Sequence, residues 1–243
     1  MRTLDAHVAW HDVECGSYDA DLAIWRGLAA RHAAGMPVLD VGAGSGRVAL
    51  DLARDGHAVL ALDTDAALLA ALRDRTGDLA IETVVADARS LALGRTFGLV
   101  IAPMQTVQLL GGADGRAAFL AAARAHLRPG GVLAAAIAHP LIAFDPADAI
   151  LPEPDLGTVG DVRLASHAVA IRDEGDRVAL VRVREATWPD GEVTREENVI
   201  HLDRLDPETL AAEGAAAGLH PQAPLHIPAS EDYVDSTVVV WRG

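Results

Sequence analysis

The 243-residue chain contains no lysine; all 20 of its basic residues are arginine. That absence excludes Schiff-base chemistry, pyridoxal phosphate attachment, the lysine of phosphate-binding loops and the strand lysine of kinases. Cysteine is almost absent too. With Cys15 alone, no internal disulfide and no cysteine-built zinc or iron–sulfur site can form. Long apolar runs are missing: the greasiest stretch, Gly130 to Phe144, is interrupted by His139 and Pro140. It falls well short of the roughly 18 apolar residues of a membrane span. The opening stretch includes Asp5, Asp12 and Glu14 without a continuous apolar run, so no secretory signal and a cytoplasmic location are expected. Positive charge is scarce. Thirty-five acidic residues against 20 basic ones give a net charge of −15, which repels phosphate backbones and argues against nucleic-acid binding by counterion release.

What is present is apolar material for a sizeable core, 51% of the residues. Short apolar runs at 38–41, 58–62, 81–86, 97–102 and 132–138 read as strands buried on both faces. Between them, 47–54, 65–75 and 115–127 carry apolar residues at helical spacing, and a further helix is expected over 19–33. Such alternation predicts an α/β fold, a doubly wound, mostly parallel sheet with helices on both sides. After Pro140 the pattern changes. Segments 161–172, 177–188 and 193–202 alternate, separated by Glu174-Gly175-Asp176 and Pro189-Asp190-Gly191, and predict a small inserted antiparallel sheet. Asp206 caps a helix over 207–217, Gly218 follows it, and 234–241 closes the fold as a strand. The proline-containing stretch 145–156 reads as a mobile loop.

The most informative passage is Val38-Leu39-Asp40-Val41-Gly42-Ala43-Gly44-Ser45-Gly46-Arg47, a buried strand, three alternating glycines and a helix. The dinucleotide fingerprint would need its third glycine at Arg47. Asp40, two residues before the first glycine, repels a pyrophosphate and attracts a cationic ligand. On these residues the chain resembles the class I S-adenosylmethionine (SAM)-dependent methyltransferases, with motif matches over Val38 to Gly131. The resemblance implies a Rossmann-like methyltransferase fold with a seven-stranded sheet and SAM as cofactor, leaving S-adenosylhomocysteine (SAH). It places Asp40, Gly42, Ala43, Gly44, Gly46, Asp63, Thr64, Asp87, Ala88, Pro103, Gln105 and Tyr18 around that cofactor. Asp63, ending the second strand, would accept the ribose hydroxyls, although it is also placed to cap a helix. Asp87, ending the third, would accept from the adenine amine, or close an Asx turn. Arg128-Pro129-Gly130-Gly131 matches the family's turn between its fourth helix and fifth strand. The organisation this implies is a helical cap (1–36), a SAM-binding core (37–145), an antiparallel insertion covering substrate or forming a dimer contact (146–204), and closing elements (205–243).

The acceptor is sought after the fourth strand. Ile101-Ala102-Pro103-Met104-Gln105 lacks the Asn/Asp-Pro-Pro-aromatic tetrad of enzymes acting on nucleobase amines or protein glutamine, and no metal-ligating acid stands there. These absences favour nitrogen or oxygen of a small molecule, methylated by in-line displacement. His139, past the fifth strand, is a candidate general base, and Tyr18 an aromatic that closes over the cofactor. Trp25 reads as core. His7, His11 and Glu14 have metal-ligand spacing, but no metal is assigned. The expected partners are the small-molecule acceptor and at most a second copy of the chain, with neither nucleic acid nor membrane. Two alternatives stay open: a catalytically silent SAM-binding sensor or scaffold, and a dinucleotide-dependent oxidoreductase.

Overall fold

A computed structural model describes residues 6–33, 35–144, 151–229 and 233–243, which form two compact units. The larger unit spans Ala20–Pro140, Leu205–Ala229 and Val234–Gly243. Its parallel strands are β1 (Val38–Val41), β2 (Val59–Asp63), β3 (Ile81–Val85), β4 (Phe97–Ala102) and β5 (Leu127–Ala138). They are ordered β5-β4-β1-β2-β3, and β12 (Ser236–Arg242) runs antiparallel beside β5. Because β1 pairs with β2 on one side and β4 on the other, the strand order reverses between β1 and β4. The crevice outside their carboxyl ends is where open α/β sheets take ligands.

Helices α2 (Leu22–His32), α3 (Arg47–Arg54), α4 (Ala66–Thr76), α5 (Gly112–Ala125) and α6 (Pro207–Ala216) flank this sheet. All residues of β1 and β4 are buried, as helices on both faces require. Gly98 in β4 lets the end of α2 approach, since a Cβ there would strike the carbonyl oxygen of His32. Trp25, Phe97, Phe119 and Trp241 are the largest fully buried side chains.

Three expectations change. β3 is the sheet edge, so Glu82 and Val85 are exposed rather than buried. The sheet gains an eighth strand because β10 (His220–Pro221) and β11 (Leu225–Ile227) both lie along β12. Arg128 to Gly131 is not a helix-to-strand turn. It is a bulge inside β5, between Leu127 opposite Phe97 and Val132 opposite Leu99, with Gly130 at φ 72°.

The smaller unit holds α1 (His7–Cys15), the chain from Leu141 to Arg204, and Tyr233. Its antiparallel sheet has the order β6 (Asp155–Val159), β7 (Val162–Asp173), β8 (Arg177–Thr187), β9 (Val193–Asp203). Trp10 and Val13 of α1 pack on Val162, Leu164 and Ala186. Burial alone would raise the carboxyl of Glu14, but hydrogen bonds from Arg184 and Ser166 hold it below the usual range. Glu14 is thereby a clamp for α1, and no group of metal-ligating side chains is found among the described residues. The first 36 residues thus divide, α1 belonging to one unit and α2 to the other. Residues 145–150 of the stretch read as a mobile loop lie outside the described residues; Asp155 and Leu156 open β6. No described helix is long and apolar enough to cross a membrane.

Candidate functional site

The site starts where β1 ends. Gly42, Gly44 and Gly46 have φ of 72°, 54° and 99°, the left-handed region that glycine enters without steric cost. Two of them are also fixed by neighbours. A Cβ on Gly42 would come within 2.5 Å of the Thr106 hydroxyl, and one on Gly46 would strike Leu72. The Gly42 and Ala43 amides donate to the Leu62 carbonyl at 2.8 and 3.0 Å. The Gly44 amide donates to Oδ2 of Asp63 at 2.8 Å, and Oδ1 of Asp63 accepts from the Asp65 amide at 2.9 Å. Asp65 in turn caps α4 through the Ala67 and Leu68 amides. Asp63 therefore ties the glycine loop to the end of β2, and each oxygen keeps a second lone pair for a ligand hydroxyl.

Asp40 is the anomaly. Its side chain is 1% exposed, and neither carboxyl oxygen has a hydrogen-bond partner among the described residues. The Ala49 amide acts on it weakly, outside hydrogen-bond geometry. Burial pushes its pKa up to about 8; Arg47 opposes the rise, while Asp63 and Asp21 add to it. Arg47 is itself engaged, with Nη1 and Nη2 donating to the two oxygens of Asp21 at 2.6 and 2.9 Å. The indole of Trp25 donates to the same carboxylate at 2.7 Å. In the sequence Trp25 reads only as core and Asp21 carries no signal, since its partner Arg47 stands 26 positions away.

At the next strand end, Asp87 caps the short helical turn Ala88–Ser90 through the Arg89 amide. Its carboxyl is held below the usual range by the Arg89 side chain first and that amide second. An adenine amine would share it with the half-exposed Arg89. Thr64 is exposed and Ala88 buried.

Past β4, Pro103 is buried, Met104 sits at φ 53° and Gln105 is half-buried. A non-glycine residue at positive φ stores strain that surrounding structure must hold; here Thr106 turns back to donate to the Pro103 carbonyl at 2.9 Å. Gln108, which no sequence motif marks, is fully buried. Its amide oxygen accepts from the Ala138 N–H at 2.9 Å and its nitrogen donates to the Ala138 carbonyl at 3.3 Å. β4 pairs with β5 only as far as Ala102 opposite Ala135. Gln108 takes the place of the missing neighbour and fixes the residue before His139. His139 is half-buried just past the end of β5, and Asp206 caps α6.

Tyr18 belongs to the smaller unit. It is buried, stacked at 4.8 Å and tilted against Tyr233, whose hydroxyl is 2.8 Å from that of Ser17. Asp40, the glycine loop, Asp63, Asp87, Pro103, Gln105 and His139 all stand at neighbouring carboxyl ends of the parallel strands.

Residues 38–131 match the family model described as a methyltransferase domain, the same span over which the sequence motifs fall. Among solved structures, DesVI of Streptomyces venezuelae is 20% identical with a TM-score of 0.75, covering 98% of this chain and 99% of its own. The SAM-bound CalS10, an amino pentose methyltransferase from Micromonospora echinaspora, is 23% identical at TM-score 0.72 and covers 100% and 99%. The sugar N-methyltransferase KedS8 of a Streptoalloteichus species is 20% identical at TM-score 0.74 and covers 100% and 96%. At these identities the likeness is one of fold over the whole chain. No curated protein matches.

Proposed function

We propose that this chain, whose residues 38–131 match the methyltransferase-domain family model, is a class I, SAM-dependent methyltransferase that binds SAM at the glycine loop and methylates nitrogen or oxygen of a small molecule. One observation carries the reading: a buried, unpartnered carboxylate, Asp40, beneath three left-handed glycines tied to a second carboxylate, Asp63. That pair of acceptors suits a ligand that is cationic at one end and hydroxylated at the other. SAM is such a ligand.

Bound SAM supplies a methyl group activated by its sulfonium for in-line displacement. The chain's own residues bind, orient and exclude water. Asp63 offers lone pairs to the ribose hydroxyls, and Asp87 with Ala88 borders the adenine. Asp40 faces positive charge in a setting that water does not screen. Pro103 and Gln105 border the methionine end, and Tyr18 is the aromatic that the resemblance to the family assigns to the cofactor. His139 takes the proton that a protonated amine acceptor must lose before its lone pair can attack. An amino sugar is the acceptor class to try first, because CalS10 is described as an amino pentose methyltransferase and KedS8 as a sugar N-methyltransferase.

Titration calorimetry with SAM and SAH tests the reading. Wild type should bind both, and Asp63→Ala should weaken binding roughly 10- to 100-fold, as loss of charged hydrogen bonds does. Gly44→Val, which forces a branched side chain to positive φ, should abolish binding. No heat and no thermal shift with either nucleotide would end the proposal. Transfer of label from methyl-tritiated SAM to an amino sugar separates an enzyme from a silent SAM-binding module.

A further inference from the structure

The charges beneath the glycine loop do not balance. Asp40 feels the charges of Arg47, Asp63 and Asp21 there, and Arg47 spends two of its donors on Asp21. Asp21 is fully buried and Arg47 nearly so. A guanidinium that closed on the buried carboxyl of Asp40 would pair with it and keep it ionised; without that partner, burial raises its pKa instead. Here Arg47 donates to Asp21 and makes no hydrogen bond to Asp40. The bidentate fork of Asp21 holds it, and the Trp25 indole, bonded to the same carboxylate at 2.7 Å, fixes that fork in place.

We propose that Asp21 is a positioning residue that holds Arg47 away from Asp40, so that the buried carboxylate of Asp40 stays open to the ammonium group of the ligand. The proposal rests on the reading of the glycine loop as a SAM site, and adds a division of labour. Asp40 selects for a cation, and the Asp21–Trp25 pair prevents the protein's own cation from satisfying it. Were Arg47 and Asp40 paired, the ligand ammonium would have to displace an internal salt bridge.

Two ligands read this out without turnover. SAH carries the ammonium, whereas 5′-methylthioadenosine keeps the adenosine and thioether but lacks the amino-acid portion. In calorimetry, Asp21→Asn should weaken SAH about tenfold or more, since a buried charged contact is lost. Methylthioadenosine should change less than about twofold, because it makes no such contact. Adding Arg47→Met to Asp21→Asn removes the freed cation and should return SAH affinity to near wild type. A double variant as weak as the single one would overturn the proposal, showing that Asp21 acts only by packing. So would unchanged SAH affinity in Asp21→Asn, or equal wild-type affinity for the two ligands. If the single variant does not fold, the double variant, which removes both buried charges together, must still bind SAH like wild type. Wild type that binds neither ligand refutes the SAM site itself, a separate outcome.

Discussion

Asp40 illustrates how one residue can be unfavourable for the fold and useful to the site. Its carboxyl is pushed up to about 8 in the folded chain, against about 3.9 in an unfolded one. Between these values the folded state holds a proton that the unfolded state releases, so stability falls as pH rises from about 4 to about 8 and then levels. Asn at this position does not titrate. Asp40→Asn should therefore be more stable than wild type without ligand, with an advantage that widens from pH 5 to pH 8. It should also bind SAH more weakly. Thermal melts of both proteins across that range provide the check, and parallel curves would show that Asp40 does not carry the penalty. At the strand end beyond, Asp87 differs: it is paired with half-exposed Arg89, a contact of little weight in stability.

At the scale of elements, β1, β2 and β4 were legible because parallel strands buried on both faces are unbroken apolar runs. So were the hairpins of β7 to β9, whose turns carry Gly175 and Gly191 at positive φ. β6 was not. Its Asp155-Leu156-Gly157-Thr158-Val159 has low strand propensity, and Gly157 is required by Val13 of α1 rather than by a turn. Gln108 was equally invisible, since its partner is the backbone of Ala138, 30 residues on, and any residue type could stand there. The role of Gln108 as a substitute strand neighbour yields a prediction. Gln108→Leu leaves the Ala138 N–H and carbonyl unsatisfied and should cost about 1–3 kcal/mol of stability. Denaturant unfolding measures that loss, and exchange of the Ala138 and His139 amides should accelerate before amides deeper in β5. Uniform acceleration along β5 would mean that Gln108 merely fills space.

For the whole molecule, the order of the parallel strands places every SAM-site candidate but Tyr18 in the larger unit. The glycine loop, Asp63, Asp87 and the residues after β4 lie at carboxyl ends on either side of the switch between β1 and β4. Ligand bound only to the native state stabilises it by about 2.7 kcal/mol at 100 times Kd, but only for structure that unfolds with the site. Hydrogen exchange with and without SAH should therefore show added protection in residues 38–68 and 97–109, and no gain in β7 to β9. Tyr18 is the exception that its proposed role requires: amides 17–19, in the smaller unit, should gain protection with ligand. If they stay unchanged while the glycine loop is protected, Tyr18 is a partner of Tyr233 alone. Equal gains throughout β7 to β9 would instead mean that both units unfold as one, and that binding energy at Asp40 and Asp63 reaches the antiparallel sheet.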